Sequence, residues 1–363
     1  MSRAVSSALT MPLTARLGPD LERSASAAAS WLLYSRNADG WWRDFALAPG
    51  SSDEWVTAYV GCALAASHAR CRHVDEAVEQ AWELLLGRQR AAGGWAYNAI
   101  APADADSTSW ALELAQLLGF ADGQPAERAR HWLDGHRLAA GGVTTYADSR
   151  PVRAFTGIPV STSFAGWTAA HTCVTAAVAR SLRDSRDVEY LKCTQEAAGN
   201  WSSYWWCEPA YATALAVEAL SEAAELGEEA RLVAAVHWAA RQVEEGRPFE
   251  RANTLSSFEL AWCVRLLSIA PESTVSGDVR RSRETAARWL LDRQLPSGAW
   301  EPSARLRVPP PDVINPETFT DWVEGGRIER AVVLDQNSIF TTATALVAIT
   351  ALQSRLIELR GSE

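Results

Sequence analysis

A short phrase recurs six times in this chain of 363 residues: an apolar helical end, a glycine turn and, in most copies, an aromatic. The copies are WLLYSRNADGWW (31–42), LLLGRQRAAGGW (84–95), WLDGHRLAAGGV (132–143), YLKCTQEAAGNW (190–201), WAARQVEEGRP (238–248) and WLLDRQLPSGAW (289–300). Their glycines, Gly40, Gly93, Gly141, Gly199, Gly246 and Gly298, follow one another at intervals of 53, 48, 58, 47 and 52 residues. A period of this size marks one supersecondary unit per repeat, each burying its apolar face against its neighbours. Glycine suits the turn because a helix commonly ends on a residue in the left-handed region.

After each turn comes a second apolar segment, opened by a polar or hydroxyl-bearing stretch: SDEWVTAYVGCALA, DADSTSWALELAQLL, HTCVTAAVARSL, EPAYATALAVEAL, NTLSSFELAWCVRLL and NSIFTTATALVAITAL. These segments lack a wide polar face, which predicts helices buried all round, whereas the first-type helices carry Arg, Glu and Asp on one side. Six buried helices inside six amphipathic ones predict an all-α fold, a single (α/α)6 toroid over 1–363, and no sustained strand alternation argues otherwise. Most of the 17 tryptophans read as packing at the turns.

The net charge of −10 and the lack of a basic stripe argue against a nucleic-acid partner and against broad attraction to anionic lipid. Hydrophobic residues make up 48% and charged ones 21%, ordinary for a globular body with a sizeable core. No signal-type apolar core and no run of eighteen apolar residues is evident, so a cytoplasmic chain without a transmembrane segment is expected. Six cysteines without a CxxC pair indicate neither a disulfide framework nor a clustered zinc site.

In the predicted toroid every buried helix starts on the same face. Aligning the segments on the recurrent hydroxyl (Thr57, Thr108, Thr175, Thr213, Thr342) places Asp53, Asp104, His171, Pro209 and Ser338 four residues earlier, and Asp106 opposite Trp55 and Cys173. Helix capping explains Asp104. It explains Asp106 less well, because only the second stave carries two acids at that level, ahead of an apolar bore. Two adjacent carboxyls in a dry site raise one pKa of the pair, which suits a proton donor.

The repeats QRAAGGW (89–95), QEAAGNW (195–201) and QLPSGAW (294–300), with Asp104-Ala105-Asp106-Ser107-Thr108, resemble the Q-x-x-x-G-x-W repeats and D-x-D-D-T acid motif of the squalene-hopene cyclases and class II diterpene cyclases. The likeness spans the whole chain but matches only the family's acid-bearing toroid. It implies a protonation-initiated terpene or meroterpenoid cyclase acting on a polyene or prenylated small molecule. Asp106 is then the general acid, Asp104 its partner, and Ser107, Thr108 and His171 supporting residues. Trp55, Tyr59, Trp110, Trp205, Tyr211, Trp262 and Phe340 become candidate cavity wall, since π-faces stabilise a carbocation without bonding to it. Protonation needs no cofactor; Mg²⁺ would enter only with a diphosphate substrate, for which Arg150, Arg153, Arg305 and Arg307 are candidate rim cations. Two departures stand out. Ser107 replaces the family's third Asp, and Ala177 stands where the squalene cyclases carry a His.

Insertions at 143–171 and 301–338 precede inner helices, so they are expected on the acid's face as lids. Self-association or a partner toroid would serve the same end. Two other readings remain: a non-catalytic isoprenoid- or partner-binding toroid, and a zinc enzyme like the protein prenyltransferase β-subunits or lanthipeptide cyclases. The zinc enzyme would draw ligands from His171, Cys173, Cys207 and Asp53.

Overall fold

The computed structural model describes residues 13–223, 229–246, 255–270 and 275–361. Most of the N-terminal stretch used for the targeting argument, and the fifth turn beyond Gly246, lie outside them. Each repeat is an outer helix followed by an inner one. Helix α1 (Leu13–Ser35) leads to α2 (Glu54–Ala66), and α3 (Arg72–Leu86) to α4 (Ala105–Leu117). Helix α5 (Gln124–Asp134) leads past the short α6 (Ser149–Thr156) to α7 (Thr172–Leu182). Then α8 (Ser185–Thr194) leads to α9 (Ala210–Glu222), α10 (Glu229–Glu245) to α11 (Ser257–Ile269), and α12 (Gly277–Asp292) to α13 (Ile339–Gly361). The inner helices pack in sequence, α2 on α4, α4 on α7, α7 on α9, α9 on α11 and α11 on α13, and α13 returns to α2. Their packing partners therefore close on themselves.

The recurrent phrase is a bonded unit. Trp42, Trp95, Trp201 and Trp300 donate their indole N–H to Leu32, Leu85, Leu191 and Leu290 O at 2.6–2.8 Å, satisfying a carbonyl at the end of the preceding outer helix. The backbone N–H of the residue after each glycine turn reaches the aligned threonine: Trp42 to Thr57, Trp95 to Thr108, Val143 to Thr175, Trp201 to Thr213 and Trp300 to Thr342. Gln89, Gln195 and Gln294 bridge from their own turn carbonyl to the next outer helix. Gly93 and Gly298 are obligatory on two counts. Their φ values are +115° and +97°, and a Cβ would meet Arg128 O at 2.5 Å or Ala27 O at 2.4 Å. The last contact joins the sixth repeat to the first. Gly246 differs from the other five turn glycines in not having positive φ.

The all-α expectation is incomplete. A hairpin of β1 (Asp44–Leu47) and β2 (Gly50–Ser52) precedes α2. Strands β3 (Arg305–Val308), β4 (Val323–Glu324) and β5 (Ala331–Leu334) form a sheet before α13, ordered β3-β5-β4, with β3/β5 antiparallel from Arg305↔Leu334 to Val308↔Ala331. These strands are two to four residues long, too short to show an alternation against the helical repeat. Helix α13 also carries an apolar stretch, Ile339–Leu359, long enough by composition to cross a membrane, but most of it is buried against its ring neighbours.

Candidate active site

The sequence around Asp104 folds as a capped helix start. Asp104 is the N-cap of α4 and accepts from Ser107 N (2.7 Å) through Oδ1 and from Ser107 Oγ (2.7 Å) through Oδ2. Capping and acid chemistry are thus compatible here: Ser107, standing where the resemblance placed an acid, supplies both donors that hold Asp104. Thr108 Oγ1 donates to Asp104 O at 2.7 Å and accepts from Trp95 N. It belongs to the repeat's framework, and the supporting catalytic role expected for it has no geometric basis.

Asp106 lies in the first turn of α4 and lines a cavity of about 490 Å³, within the range of small-molecule sites, roughly 300–1,000 Å³. Its open surface faces this cavity. Oδ1 is buried without a hydrogen-bond partner, and among the described residues no cation pairs with the carboxyl. Burial, followed by the neighbouring Asp104 charge, pushes the Asp106 carboxyl well above the usual carboxylate range; the Trp55 and Tyr211 donors oppose that shift. Asp104 is itself pushed up to about 6, chiefly by burial and against its bonds from Ser107. Burial thus biases both carboxyls toward the protonated form, and the Asp104 charge adds to that bias on Asp106.

The walls are aromatic and come from several repeats. Trp55 lines the cavity from α2, and Trp205 and Trp206 from the segment before α9. Tyr97, Tyr146 and Trp167, which sequence alignment of the inner helices did not single out, line it from loops. The other proposed wall residues sit elsewhere. Tyr59, Trp110, Tyr211, Trp262 and Phe340 are buried outside the lining, packed on one another: Tyr59 on Phe340 with centroids 3.9 Å apart, Tyr211 edge-on to Trp262 at 5.2 Å. Tyr59, Trp110 and Trp262 lie more than one turn inside their helices, whereas Tyr211 and Phe340 stand at the level of Asp106 behind the rings of Trp206 and Trp55.

His171 does not reach the acids. Trp205 Nε1–H donates to Thr145 Oγ1 (2.7 Å), Thr145 Oγ1–H to His171 Nδ1 (2.7 Å), and His171 Nε2–H to Gly166 O (2.8 Å). The Gly166 carbonyl can only accept, which places a proton on Nε2, and in the neutral ring Nδ1 then accepts from the Thr145 hydroxyl. Burial agrees, lowering the imidazole pKa to about 4. With both ring nitrogens engaged, His171 offers no lone pair to zinc. It fastens the 143–171 segment, whose Thr145 O accepts from Ala105 N at the start of the acid's helix.

Segments 143–171 and 301–338 both reach this cavity, through Thr145, Tyr146, Val152, Phe155, Thr156 and Trp167 and through Leu306, Val308, Arg327, Ile328 and Glu329. They bind each other, Trp167 Nε1 to Pro309 O at 2.9 Å and Gly166 N to Pro311 O at 2.8 Å. None of the four arginines expected at a rim lines the cavity. Arg150 pairs with Asp148, Arg305 with Glu208 and Glu324, buried Arg307 with Glu317, and Arg153 donates to Pro159 O and Thr162 O. Arg327 is the basic residue in the lining, and its guanidinium has no ion-pair partner among the described residues. Its neighbours in sequence, Gly325 and Gly326, gave no chemical signal, so only the fold could show where it lands.

An unpaired carboxyl facing an aromatic cavity, carried on helix pairs whose inner members pack in a closed sequence, is what a terpene cyclase would call for. Comparison with known structures agrees. The chain is 40% identical to the type II terpene cyclase MstE from Scytonema over 93% of its own length and 99% of that chain, with a TM-score of 0.87. Variants of that enzyme are known in complex with geranylgeranyl dihydroxybenzoate as substrate and with merosterolic acid A as product. A protein from Actinoplanes is 36% identical over 91% of this chain and 99% of that one, with a TM-score of 0.83. The ent-copalyl diphosphate synthase from Streptomyces platensis, at 19% identity and a TM-score of 0.53, shares the fold, and this chain covers 50% of it. No family model and no curated protein matches. The chain belongs to the type II terpene cyclases and is an enzyme of that family.

Proposed function

We propose that this enzyme cyclises a prenylated aromatic acid by proton transfer from Asp106, within a single (α/α)6 toroid whose mouth is covered by 143–171 and 301–338. The observation that carries the reading is the setting of Asp106: it lines the aromatic cavity, has a buried oxygen without a partner and no paired cation among the described residues, and burial raises its carboxyl pKa. The Asp106 O–H bond breaks as the π electrons of a terminal alkene form a C–H bond, leaving a carbocation and a carboxylate. Trp55, Trp205 and Trp206 present π-faces to the cation. Water would quench such a cation, and the two interlocked insertions, which line the cavity, would limit its entry. No cofactor takes part in protonation.

Arg327 supports an acidic head group on the substrate. One planar guanidinium pairs bidentately with one carboxylate, whereas a diphosphate calls for Mg²⁺ or several cations, and Arg327 is the one basic residue in the lining among the described residues. MstE's own substrate carries a benzoate, which fits the same reading.

The test is incubation with geranylgeranyl dihydroxybenzoate, its decarboxylated analogue and geranylgeranyl diphosphate, with Mg²⁺ or with a chelator, read by chromatography and mass spectrometry. A cyclised isomer of the benzoate, formed equally with chelator, is expected. Arg327→Ala should raise KM for the benzoate about tenfold, the loss of roughly one charged hydrogen bond, and leave the decarboxylated analogue unchanged. Cyclisation of the diphosphate alone, abolished by chelator, would overturn the reading.

A further inference from the structure

We propose that Tyr211 and Trp55 form a two-donor cradle for the carboxylate that Asp106 becomes when it gives up its proton. The proposal rests on Asp106 being the acid. It answers how this acid is supported without the third Asp and the His that the sequence pattern led one to expect.

The geometry is as follows. Trp110 Nε1–H donates to Tyr211 Oη at 3.1 Å. Indole cannot accept, so the phenol oxygen is the acceptor and its own proton points elsewhere. The groups acting on Tyr211 besides Trp110 are Asp106, Tyr59 and Cys173. The Tyr59 hydroxyl is engaged with Thr344 Oγ1 at 2.7 Å, and a buried thiol is a weak acceptor. The Asp106 carboxyl is the acceptor that remains, and its Oδ1 is buried with no partner. Trp55 Nε1–H is likewise buried with no partner, and its indole acts on the same carboxyl.

These donors stand near the carboxyl without closing to hydrogen-bond length, as catalytic hydrogen bonds in unliganded sites often do. Facing a neutral acid, a buried orphan donor is unfavourable; facing a carboxylate it makes a charge-assisted bond. The interaction thus strengthens as negative charge develops, which is the condition for speeding the proton-transfer step rather than merely tightening binding. The cradle also sets direction. With Oδ1 turned toward Tyr211 and Trp55, the proton resides on Oδ2, the oxygen left to the cavity. Tyr211 does not line that cavity and so is a positioning residue, acting on substrate only through Asp106.

Two measurements on the whole enzyme test this. The first needs no substrate: infrared titration of the protonated-carboxyl band, assigned to Asp106 by its loss in Asp106→Asn. Tyr211→Phe and Trp55→Phe should each move its midpoint upward by about one pH unit, a tenfold change in the ionisation constant, while Tyr59→Phe, which removes a neighbouring buried hydroxyl, should not move it. The second is kinetic: Tyr211→Phe should lower kcat by roughly 10²-fold, as loss of one preorganised donor does, with KM unchanged. An unmoved midpoint in both variants, or an unchanged kcat in a folded Tyr211→Phe enzyme, would overturn the cradle. Full activity in Asp106→Asn would instead overturn the assignment of the acid itself.

Discussion

The two ends of the inner helices treat charge in opposite ways. At the N-terminal end, Asp106 has aromatic neighbours, a second acid and no paired cation among the described residues, and burial pushes its carboxyl toward the neutral form. Two turns deeper, Glu113 of α4, Arg180 of α7, Glu218 of α9 and Arg265 of α11 form a row across the ring. Arg180 pairs with Glu113 at 3.4 Å and with Glu218 at 3.1 Å, and Glu218 also pairs with Arg265. The guanidiniums lie over the rings of Trp110 (4.5 Å) and Trp262 (5.1 Å), closing the bore below the aromatic floor. Two acids and two bases neutralise one another there, so nothing is left to react. A buried charge paired with opposite charges holds the fold; a buried carboxyl without a cation is pushed toward its protonated form.

That contrast can be broken at either end. The largest expected effect is on turnover: Asp106→Asn should reduce cyclisation by about 10³-fold or more, the upper range for a general acid, with the unfolding midpoint unchanged or raised, as product assays and thermal denaturation will show. At the other end, Glu218→Gln leaves two guanidiniums facing each other without their shared acid. The predicted cost is about 3–5 kcal/mol of stability, measured by urea denaturation, with turnover per folded molecule unaltered.

Smaller effects sharpen the same contrast. Asp104→Asn should lower turnover about 10²-fold and let Asp106 ionise at lower pH, because the neighbouring negative charge is gone; a shifted activity–pH profile reports it. The weakest effect concerns His136 and His171, both buried and lowered from 6.5 to about 4. Below about pH 6.5 the unfolded chain binds protons that the folded one does not, so stability falls as pH drops toward 4. Each histidine contributes up to about 1.4 kcal/mol per pH unit. Unfolding midpoints between pH 7 and 4 should show this slope, and it should be shallower in His136→Gln.

The repeat was legible in the sequence because it is built from local contacts. Gly93, Trp95, Gln89 and Thr108 bond within one repeat or to the next outer helix, so their spacing carries the geometry. The acids were legible for the same reason: Asp104 and Asp106 open an inner helix, and the helix start is fixed by the turn before it. What depended on tertiary depth was not. Tyr211 and Trp262 share helical registers with plausible wall residues, yet neighbouring rings such as Trp206 and Phe258 cover them. Tyr146, Trp167 and Arg327 reach the cavity from insertions whose paths are set by long-range bonds such as Trp167 to Pro309, which no periodicity encodes. His171 was read as an acid's partner from its alignment with Asp104, but the imidazole turns toward Thr145 and Gly166 instead.

The most direct measurement is cyclisation of geranylgeranyl dihydroxybenzoate in deuterium oxide, with the product mapped by mass spectrometry and NMR. Asp106 exchanges with solvent between turnovers, so the product should carry one solvent deuteron, at the carbon that began as the chain's terminal alkene, and Asp106→Asn should yield no product. A cyclised product without that deuteron, or one formed by Asp106→Asn at the wild-type rate, would contradict protonation by Asp106.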